Sequence, residues 1–320
     1  MDPNTRQRIA NLSPAKRALL EERLRQAGLT SPNFAAIPRR AAGDYAPLSF
    51  AQKRLWFLNQ LEPDSPAYNE ARAVRLKGAL DVQALEWSLN RIIERHEILR
   101  TTILSVDGDP VQRVAENRAI ELPLIDLSDR VERDRDTEAQ CLIKQATREP
   151  FDLSRDLMLR LMLLRVNDAE HVLLLVKHHI ASDSWSSGIF WREISAFYAA
   201  CSSGRSPDLE ELPVQYADYA AWQQDWFQGE VLQQQLSYWR RQLDNLTTLE
   251  LPTDRSRPTV KSPGGAIRKI SLPYDLSKAL KLLSRKNQVT LFMTLLAAFK
   301  ILLHRYSGQN EVVVLSLIHI

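Results

Sequence analysis

The sequence has few of the residues that mark several specialised classes of protein. Ten glycines in 320 residues exclude collagen-like and glycine-rich low-complexity architectures. Two cysteines, Cys141 and Cys201, are too few for a disulfide framework, and neither lies in a CxxC or Cys/His metal spacing. The formal charge is +3, from 42 basic and 39 acidic side chains, and so small an excess argues against a nucleic-acid partner.

Long apolar runs are also missing. The N-terminal stretch MDPNTRQRIANLSPAKR has no apolar core of a secretory signal. The longest apolar stretch, 291–303, is interrupted by Thr294 and Lys300 and is too short to span a bilayer. We therefore expect a cytoplasmic protein with no membrane partner.

The composition and length predict a folded protein with more than one lobe. Hydrophobic residues make up 44% of the chain and charged residues 25%, which is typical of a globular protein with a sizeable core. A length of 320 residues favours two domains or lobes. Strand and helix patterns are mixed without the strict alternation of a doubly wound sheet. The sequence therefore predicts an α+β, or mixed α/β, fold.

Three segments are predicted along the chain. Residues 1–46 read as an N-terminal helix, at 14–27, followed by a proline-bearing linker. Residues 47–251 form the first lobe. Residues 252–320 form a linker, which holds three prolines and a Gly-Gly pair, and the start of a second lobe.

Apolar periodicity and turn signals predict the elements inside these segments. Helices are expected over 49–60, after Asp81, over 134–148, over 185–201, as a pair across 215–244, and over 275–286 and 290–306. Strands are expected over 71–76, 99–106, 111–114, 157–166, 171–176, 266–272 and 311–317. Asp107-Gly108 predicts a hairpin turn.

Two adjacent histidines follow the apolar run 172–176, which reads as a buried strand. Because neighbouring side chains of a strand point to opposite faces, one of His178 and His179 is expected inside the lobe and the other at a cleft or interface. Histidines so placed are poorly suited to bind one metal ion together. The pair alone leaves a catalytic and a structural interpretation open.

Asp183 also has two interpretations. It can cap the helix that begins at Ser184 or Trp185. It can instead be a buried carboxylate that pairs with an arginine and holds the preceding loop in shape.

Four motifs resemble those of the condensation domains of nonribosomal peptide synthetases. Residues 178–186 (HHIASDSWS) resemble HHxxxDGWS, and 49–58 (SFAQKRLWFL) resemble SxAQxRLWFL. Residues 95–103 (RHEILRTTI) resemble RHExLRTxF, and 216–222 (YADYAAW) resemble YxDYAxW. The motifs stand in the family's order, and the resemblance extends over 47–314.

This resemblance implies a chloramphenicol acetyltransferase-like fold, with two lobes in a V and the histidine motif at their junction. It implies acyl transfer between two substrates, each carried as a thioester on phosphopantetheine, in which the acceptor's α-amine attacks the donor's carbonyl. The implied partners are upstream and downstream peptidyl carrier proteins and an adenylation domain. The domain itself is expected to bind no cofactor and no metal.

The resemblance also implies roles for single residues. His179 is the catalytic residue, as a general base or as an orienting hydrogen-bond partner. His178, Asp183, Ser184 and Trp185 support it, and Arg95 or Arg100 pairs with Asp183. Outside this motif, Gln52, Arg54 and Trp56 are expected to organise the lobe, and Tyr216, Tyr219 and Trp222 to form a packed helix face.

Two departures from the family's pattern affect the expected activity. Ser184 stands where the family has glycine, and we expect the change to be tolerated. The chain also ends before the family's domain does, so we expect an incomplete second lobe and no condensation by this chain alone.

Two alternatives stay open. The first is a non-catalytic condensation-like module that recruits a partner protein, against which both motif histidines argue. The second is epimerisation-type activity on the same fold, against which the opening motif at 49–58 argues.

Overall fold

The computed structural model describes residues 37–41, 43–116, 119–256 and 270–314, so the predicted helix at 14–27 lies outside the described residues. The chain divides into two compact units between Phe227 and Gln228. This division precedes the boundary expected at 251/252. Residues 248 and 250 belong with the second unit, where the Gln309 side chain accepts from the Glu250 N–H and donates to the Thr248 carbonyl.

The described part of the first unit is a mixed α/β structure, as predicted. Its strands are β1 (Ala46–Pro47), β2 (Asn69–Lys77), β3 (Thr101–Val106), β4 (Asp109–Val114), β5 (Leu124–Asp126), β6 (Leu159–Asn167) and β7 (Glu170–His178). Its helices are α1 (Phe50–Leu61), α2 (Val82–Arg95), α3 (Glu132–Arg148), α4 (Ser184–Ser203) and α5 (Tyr216–Trp226), with a 3-10 turn at Glu97–Arg100. One sheet has the order β1-β4-β3 and the other β2-β7-β6-β5.

Strand β7 lies in the middle of the larger sheet, antiparallel to both β2 and β6. Leu173 and Leu175 pack on one face in a core with residues of α2 and α4. Leu174 and Val176 pack on the other face in a second core with Phe151. Both faces of β7 are therefore covered, which explains why its apolar run is continuous rather than alternating.

Local signals explain the elements around this strand. Asp81 caps α2 by accepting the Ala84 N–H at 2.9 Å, as its position predicts. Asp107 and Gly108 both have positive φ, at 53° and 89°, the backbone that a two-residue hairpin turn requires. The strand expected from residue 99 begins only at Thr101, because the preceding residues form the 3-10 turn.

The described part of the second unit is helical, with α6 (Gly229–Gln242), α7 (Tyr274–Lys286) and α8 (Leu291–Ser307) close to their predicted ranges. The structure describes part of each of the two strands predicted at 266–272 and 311–317, and for those parts the prediction is wrong. Residues 270–272 and 311–314 are not strands, since a strand needs a partner ladder and the described residues of this unit supply none.

No single helix within the described ranges has the length and apolar character to cross a membrane. Helices α7 and α8 pass that test only when taken together, and they are bent by 104° at their junction. The cytoplasmic location stays a prediction.

Candidate active site

His178 ends β7 and points into the lobe, as the alternation of strand side chains predicts. Its exposed fraction is 3%, and its ring meets the Phe151 ring edge-on at 5.8 Å. Its Nδ1 accepts the Ile180 N–H at 3.1 Å. Burial, helped by the charges of His179 and Arg160, lowers the pKa of His178 to about 4. His178 is therefore a neutral residue of the core at ordinary pH.

His179 follows the strand and is partly exposed, with 29% of its side chain accessible. Its Nδ1 lies 2.7 Å from the Ser182 carbonyl oxygen and 2.8 Å from Oε1 of Glu70. The Ser182 carbonyl can only accept, so its hydrogen bond assigns the ring proton to Nδ1 in the neutral imidazole, and the Glu70 carboxylate lies close to the same nitrogen. Its Nε2, which has no hydrogen-bond partner within the described part of the chain, then carries the lone pair.

Glu70 was not among the residues that the sequence singled out. It lies on β2, directly opposite Lys177 of β7 in the antiparallel register. Lys177 is buried and donates from Nζ to Ser187 Oγ at 3.0 Å. Burial lowers the pKa of Lys177, and the neighbouring charge of Glu70 raises it in part. Only the register between β2 and β7 brings Glu70 close to the histidine motif. That register joins distant parts of the chain, so local sequence patterns do not identify Glu70.

Asp183 is the N-cap of α4 and is exposed, so its interpretation as a buried carboxylate is wrong. Its carboxylate accepts the Ser186 N–H at 2.7 Å, and its own N–H donates to Ser186 Oγ at 2.8 Å. Ser184 has no positive φ, so serine is unstrained where the family has glycine. Trp185 is 73% exposed and adds little to the packing.

Neither arginine pairs with Asp183, contrary to the expectation. Arg95 Nε lies 3.3 Å from the buried carboxylate of Glu193, and Arg100 donates to the Ala115 carbonyl. Glu193 stands ten residues after Asp183 on α4, which places it about 15 Å further along the helix. The arginines are thus engaged elsewhere, while the capping contacts satisfy Asp183.

A partly buried polar network joins two of the four motifs. Glu193 also lies 2.6 Å from Nε2 of His96. The next motif residue, Glu97, pairs with Arg40 at 3.1 Å, and Arg40 pairs with Asp218 of the fourth motif at 3.0 Å. Burial raises the pKa of Asp218, but hydrogen bonds from two backbone N–H groups and the charge of Arg40 bring it below its usual value.

The residues at 37–41, predicted as part of a linker, are thus tied to the first unit. Besides the two ion pairs of Arg40, Arg39 donates to the carbonyls of Leu212 and Pro213 at 3.1 and 2.9 Å. These contacts fix the described end of the linker against the start of α5.

The opening motif joins the same assembly through α5. Ser49 Oγ lies 2.9 Å from the Tyr216 hydroxyl, and the buried Gln52 donates to Gln112 at 3.0 Å. Trp56 is partly buried against the second core, whereas Arg54 is exposed, so its expected packing role is wrong.

The predicted packed face of α5 is confirmed. Neighbouring rings along Tyr216, Tyr219, Trp222 and Trp226 have centroids 5.4–5.9 Å apart. The last two rings are stacked, with planes 8° apart.

The described residues contain no group of three or more His, Cys, Asp or Glu side chains that can hold a metal ion. Cys141 and Cys201 are free and exposed. The metal-free site stays a prediction.

A family model described as Condensation domain matches residues 42–320. The chain belongs to the condensation-domain family. One of the proteins that make up the linear gramicidin synthase of Brevibacillus parabrevis is 47% identical over 307 residues, which are 96% of this chain and 4% of that relative. The chain thus spans a small part of the length of this curated relative. The predicted relation to nonribosomal peptide synthetases is confirmed.

Solved structures support the fold of this condensation domain. The X-domain from teicoplanin biosynthesis, solved in complex with OxyB, matches 85% of this chain and 60% of that chain, with a TM-score of 0.71 and 31% identity. The first condensation domain of the calcium-dependent antibiotic synthetase, solved with a substrate analogue, matches 84% of this chain and 63% of that chain, with a TM-score of 0.72 and 22% identity. The fold is the chloramphenicol acetyltransferase-like fold of condensation domains, as predicted.

The condensation-domain motif thus presents one partly exposed imidazole in a fixed tautomer. Its Nδ1 is held by two oxygen atoms, and its Nε2 can accept a proton or a hydrogen bond. His178 behind it is buried and neutral. The arrangement suits a reaction in which one side chain accepts a proton. The substrates of such a reaction are held in place by other parts of the protein.

Proposed function

We propose that this condensation domain forms an amide bond in nonribosomal peptide synthesis. The α-amine of an acceptor, carried on the phosphopantetheine of a downstream carrier protein, attacks the thioester carbonyl of a donor on an upstream carrier protein. An adenylation domain supplies the amino acid to its carrier, and the domain binds no cofactor of its own. The observation that carries the proposal is the Nε2 lone pair of His179, on a ring whose Nδ1 donates to the Ser182 carbonyl and lies beside the Glu70 carboxylate.

The reaction needs one proton to be moved. As the nitrogen–carbon bond forms, the amine loses a proton to Nε2 of His179, and the carbon–sulfur bond then breaks. The released phosphopantetheine thiolate takes up a proton in turn, so the ring returns to its neutral form. The thioester is already activated, so no covalent enzyme intermediate is required.

Positioning supplies more of the rate than the histidine does. General-base catalysis contributes about 10²- to 10⁴-fold. Holding two tethered substrates in a reactive geometry contributes about 7–11 kcal/mol. We therefore expect His179→Ala to lower the rate of amide formation by about 10²-fold or more without abolishing it.

The test is single-turnover amide formation between two loaded carrier proteins. The chain is placed in an intact synthetase module, since the curated relative carries the matching region as a small part of a long synthetase. His304→Ala, which changes an exposed histidine outside the motif, is the matched control and should react like the wild type. An unchanged rate for His179→Ala contradicts the assignment of His179.

A second candidate is a module that recruits a partner protein without chemistry. The observation that favours it is the similar X-domain, which is solved as a complex with OxyB. Under this alternative the wild-type module forms no amide but binds a separate protein. Epimerisation is distinguished in the same assay, because it inverts the configuration of the donor residue when no acceptor is present.

A further inference from the structure

Glu70 lies beside the imidazole of His179 without belonging to any of the four motifs. It is the second residue of β2, which is an edge strand of the larger sheet. Its carboxylate Oε1 lies 2.8 Å from Nδ1 of His179, and 31% of its side chain is exposed. A carboxylate at Nδ1 stands on the opposite side of the ring from the nitrogen that faces the reacting groups.

We propose that Glu70 is a positioning residue for His179, an inference that rests on the proposed function. It holds the ring with Nε2 directed outward, and its charge stabilises the imidazolium that forms when Nε2 takes a proton from the acceptor's amine. That proton leaves with the phosphopantetheine thiolate, while the Nδ1 proton stays on the ring and is donated to the Ser182 carbonyl. The carboxylate is therefore never protonated in this sequence of steps.

The two oxygen atoms near Nδ1 have separate contributions. The Ser182 carbonyl at 2.7 Å suffices to fix the tautomer, because one acceptor satisfies one N–H. Glu70 adds a negative charge, which a carbonyl does not have. A carboxylate attracts a protonated ring by Coulomb's law and a neutral ring only weakly, so the contribution of Glu70 is greatest when the ring is charged.

Lys177 does not take Glu70 away from the ring. It faces Glu70 across the ladder, but its Nζ donates to Ser187 Oγ at 3.0 Å and lies 5.5 Å from the centre of the Phe190 ring. Lys177 thus points toward α4, and the carboxylate of Glu70 lies against Nδ1 of His179.

Glu70→Gln is the informative variant, because glutamine keeps the acceptor oxygen and the volume but loses the charge. We expect its single-turnover rate in the intact module to fall about 10-fold with an unchanged KM for the acceptor carrier, the size of about 1.4 kcal/mol in the barrier. Glu170→Gln is the matched control. It removes a carboxylate that pairs with Arg75 at 2.7 Å, at the other end of the same two strands, and should leave the rate unchanged.

Three further measurements separate positioning from general support of the fold. In a His179→Ala background, Glu70→Gln should have no further effect on the rate, because residues that act through one another are not additive. In this chain, ¹⁵N spectra of labelled histidine should show His179 with a pyrrole-like Nδ1 and a pyridine-like Nε2. The melting temperature of Glu70→Gln should stay that of the wild type.

The outcomes are distinguishable from failure of the proposed function. If His179→Ala is slow but Glu70→Gln reacts like the wild type, or raises only KM, the inference about Glu70 is overturned and the proposed function stands. A pyridine-like Nδ1 on His179 overturns it as well. If His179→Ala itself reacts like the wild type, the proposed role of His179 is wrong and the inference about Glu70 is wrong with it.

Discussion

Helix α4 carries two carboxylates in opposite settings. Asp183 at its N-terminus is exposed, and its hydrogen bonds to other described residues lie within the first turn of the helix, with Ser186 and Ser187. Glu193 near its middle has a side-chain exposure of 3% and faces both Arg95 and His96. The motif aspartate thus shapes a helix end, while a glutamate outside the four motifs holds Arg95 and His96 of a second motif. Burial and partners, rather than membership of a motif, decide what each carboxylate contributes.

The largest effect is expected for Glu193. We expect Glu193→Gln to lower the free energy of unfolding by about 3 kcal/mol, at the low end of the range for breaking a buried ion pair, because it leaves the partly buried charge of Arg95 without a counter-charge. Denaturant unfolding at pH 7 measures the change. The control is Glu94→Gln, which removes an exposed ion pair with Arg91 and should change stability by less than about 1 kcal/mol. Equal effects of the two substitutions would remove the contrast between buried and exposed carboxylates.

The histidine pair extends the contrast to pH. The pKa of His178 is lowered from 6.5 to about 4 by burial, so the unfolded chain binds a proton between these values that the folded chain does not. The contribution of His178 to stability is therefore present above pH 6.5 and is lost as the pH falls to about 4, with a total of about 3 kcal/mol.

The variant His178→Asn isolates this pH dependence, since its amide oxygen can accept the Ile180 N–H but does not titrate. We expect urea unfolding of the variant to depend less steeply on pH between 6.5 and 4 than that of the wild type. His304→Asn should keep the wild-type slope. A variant of His178 with the full wild-type slope would show that another group titrates in its place.

The smallest effect is expected for Asp183. Loss of an N-cap costs about 1 kcal/mol, so Asp183→Ala should lower the free energy of unfolding by that amount. Asp183→Asn keeps the acceptor and should stay close to the wild type. A loss of more than about 3 kcal/mol in both variants would instead indicate a buried charge pair.

Local signals predicted the strand that carries the histidine motif and two features elsewhere in the first unit. Each depends on residues that are close together in the sequence. They are the buried strand β7, the cap at Asp81 and the turn at Asp107-Gly108. The inward position of His178 followed from strand alternation alone. The motif resemblance supplied the fold of the condensation domain, which periodicity narrowed only to a mixed α/β class.

The partners of the site residues were not predictable in the same way. Glu70 reaches His179 only through the pairing of β2 with β7, strands about a hundred residues apart in the chain. In the sequence, Glu193 looks like an ordinary polar residue of a helix. It lies three residues after Phe190 and four before Phe197, and this spacing places it on the buried face of α4. Asp183 was assigned an arginine from the family's pattern, whereas Ser186 completes a capping box that needs none.

The contact between His179 and Ser182 also has a mechanical consequence. Ser182 is buried, its carbonyl holds the imidazole, and its hydroxyl lies 3.3 Å from Ser186 Oγ in the first turn of α4. Through two hydrogen bonds, Ser182 therefore links the imidazole of His179 to the first turn of α4. A rotation or translation of the start of α4 would change the direction of Nε2, so a protein or substrate that pushes on this helix end acts on the imidazole without touching it.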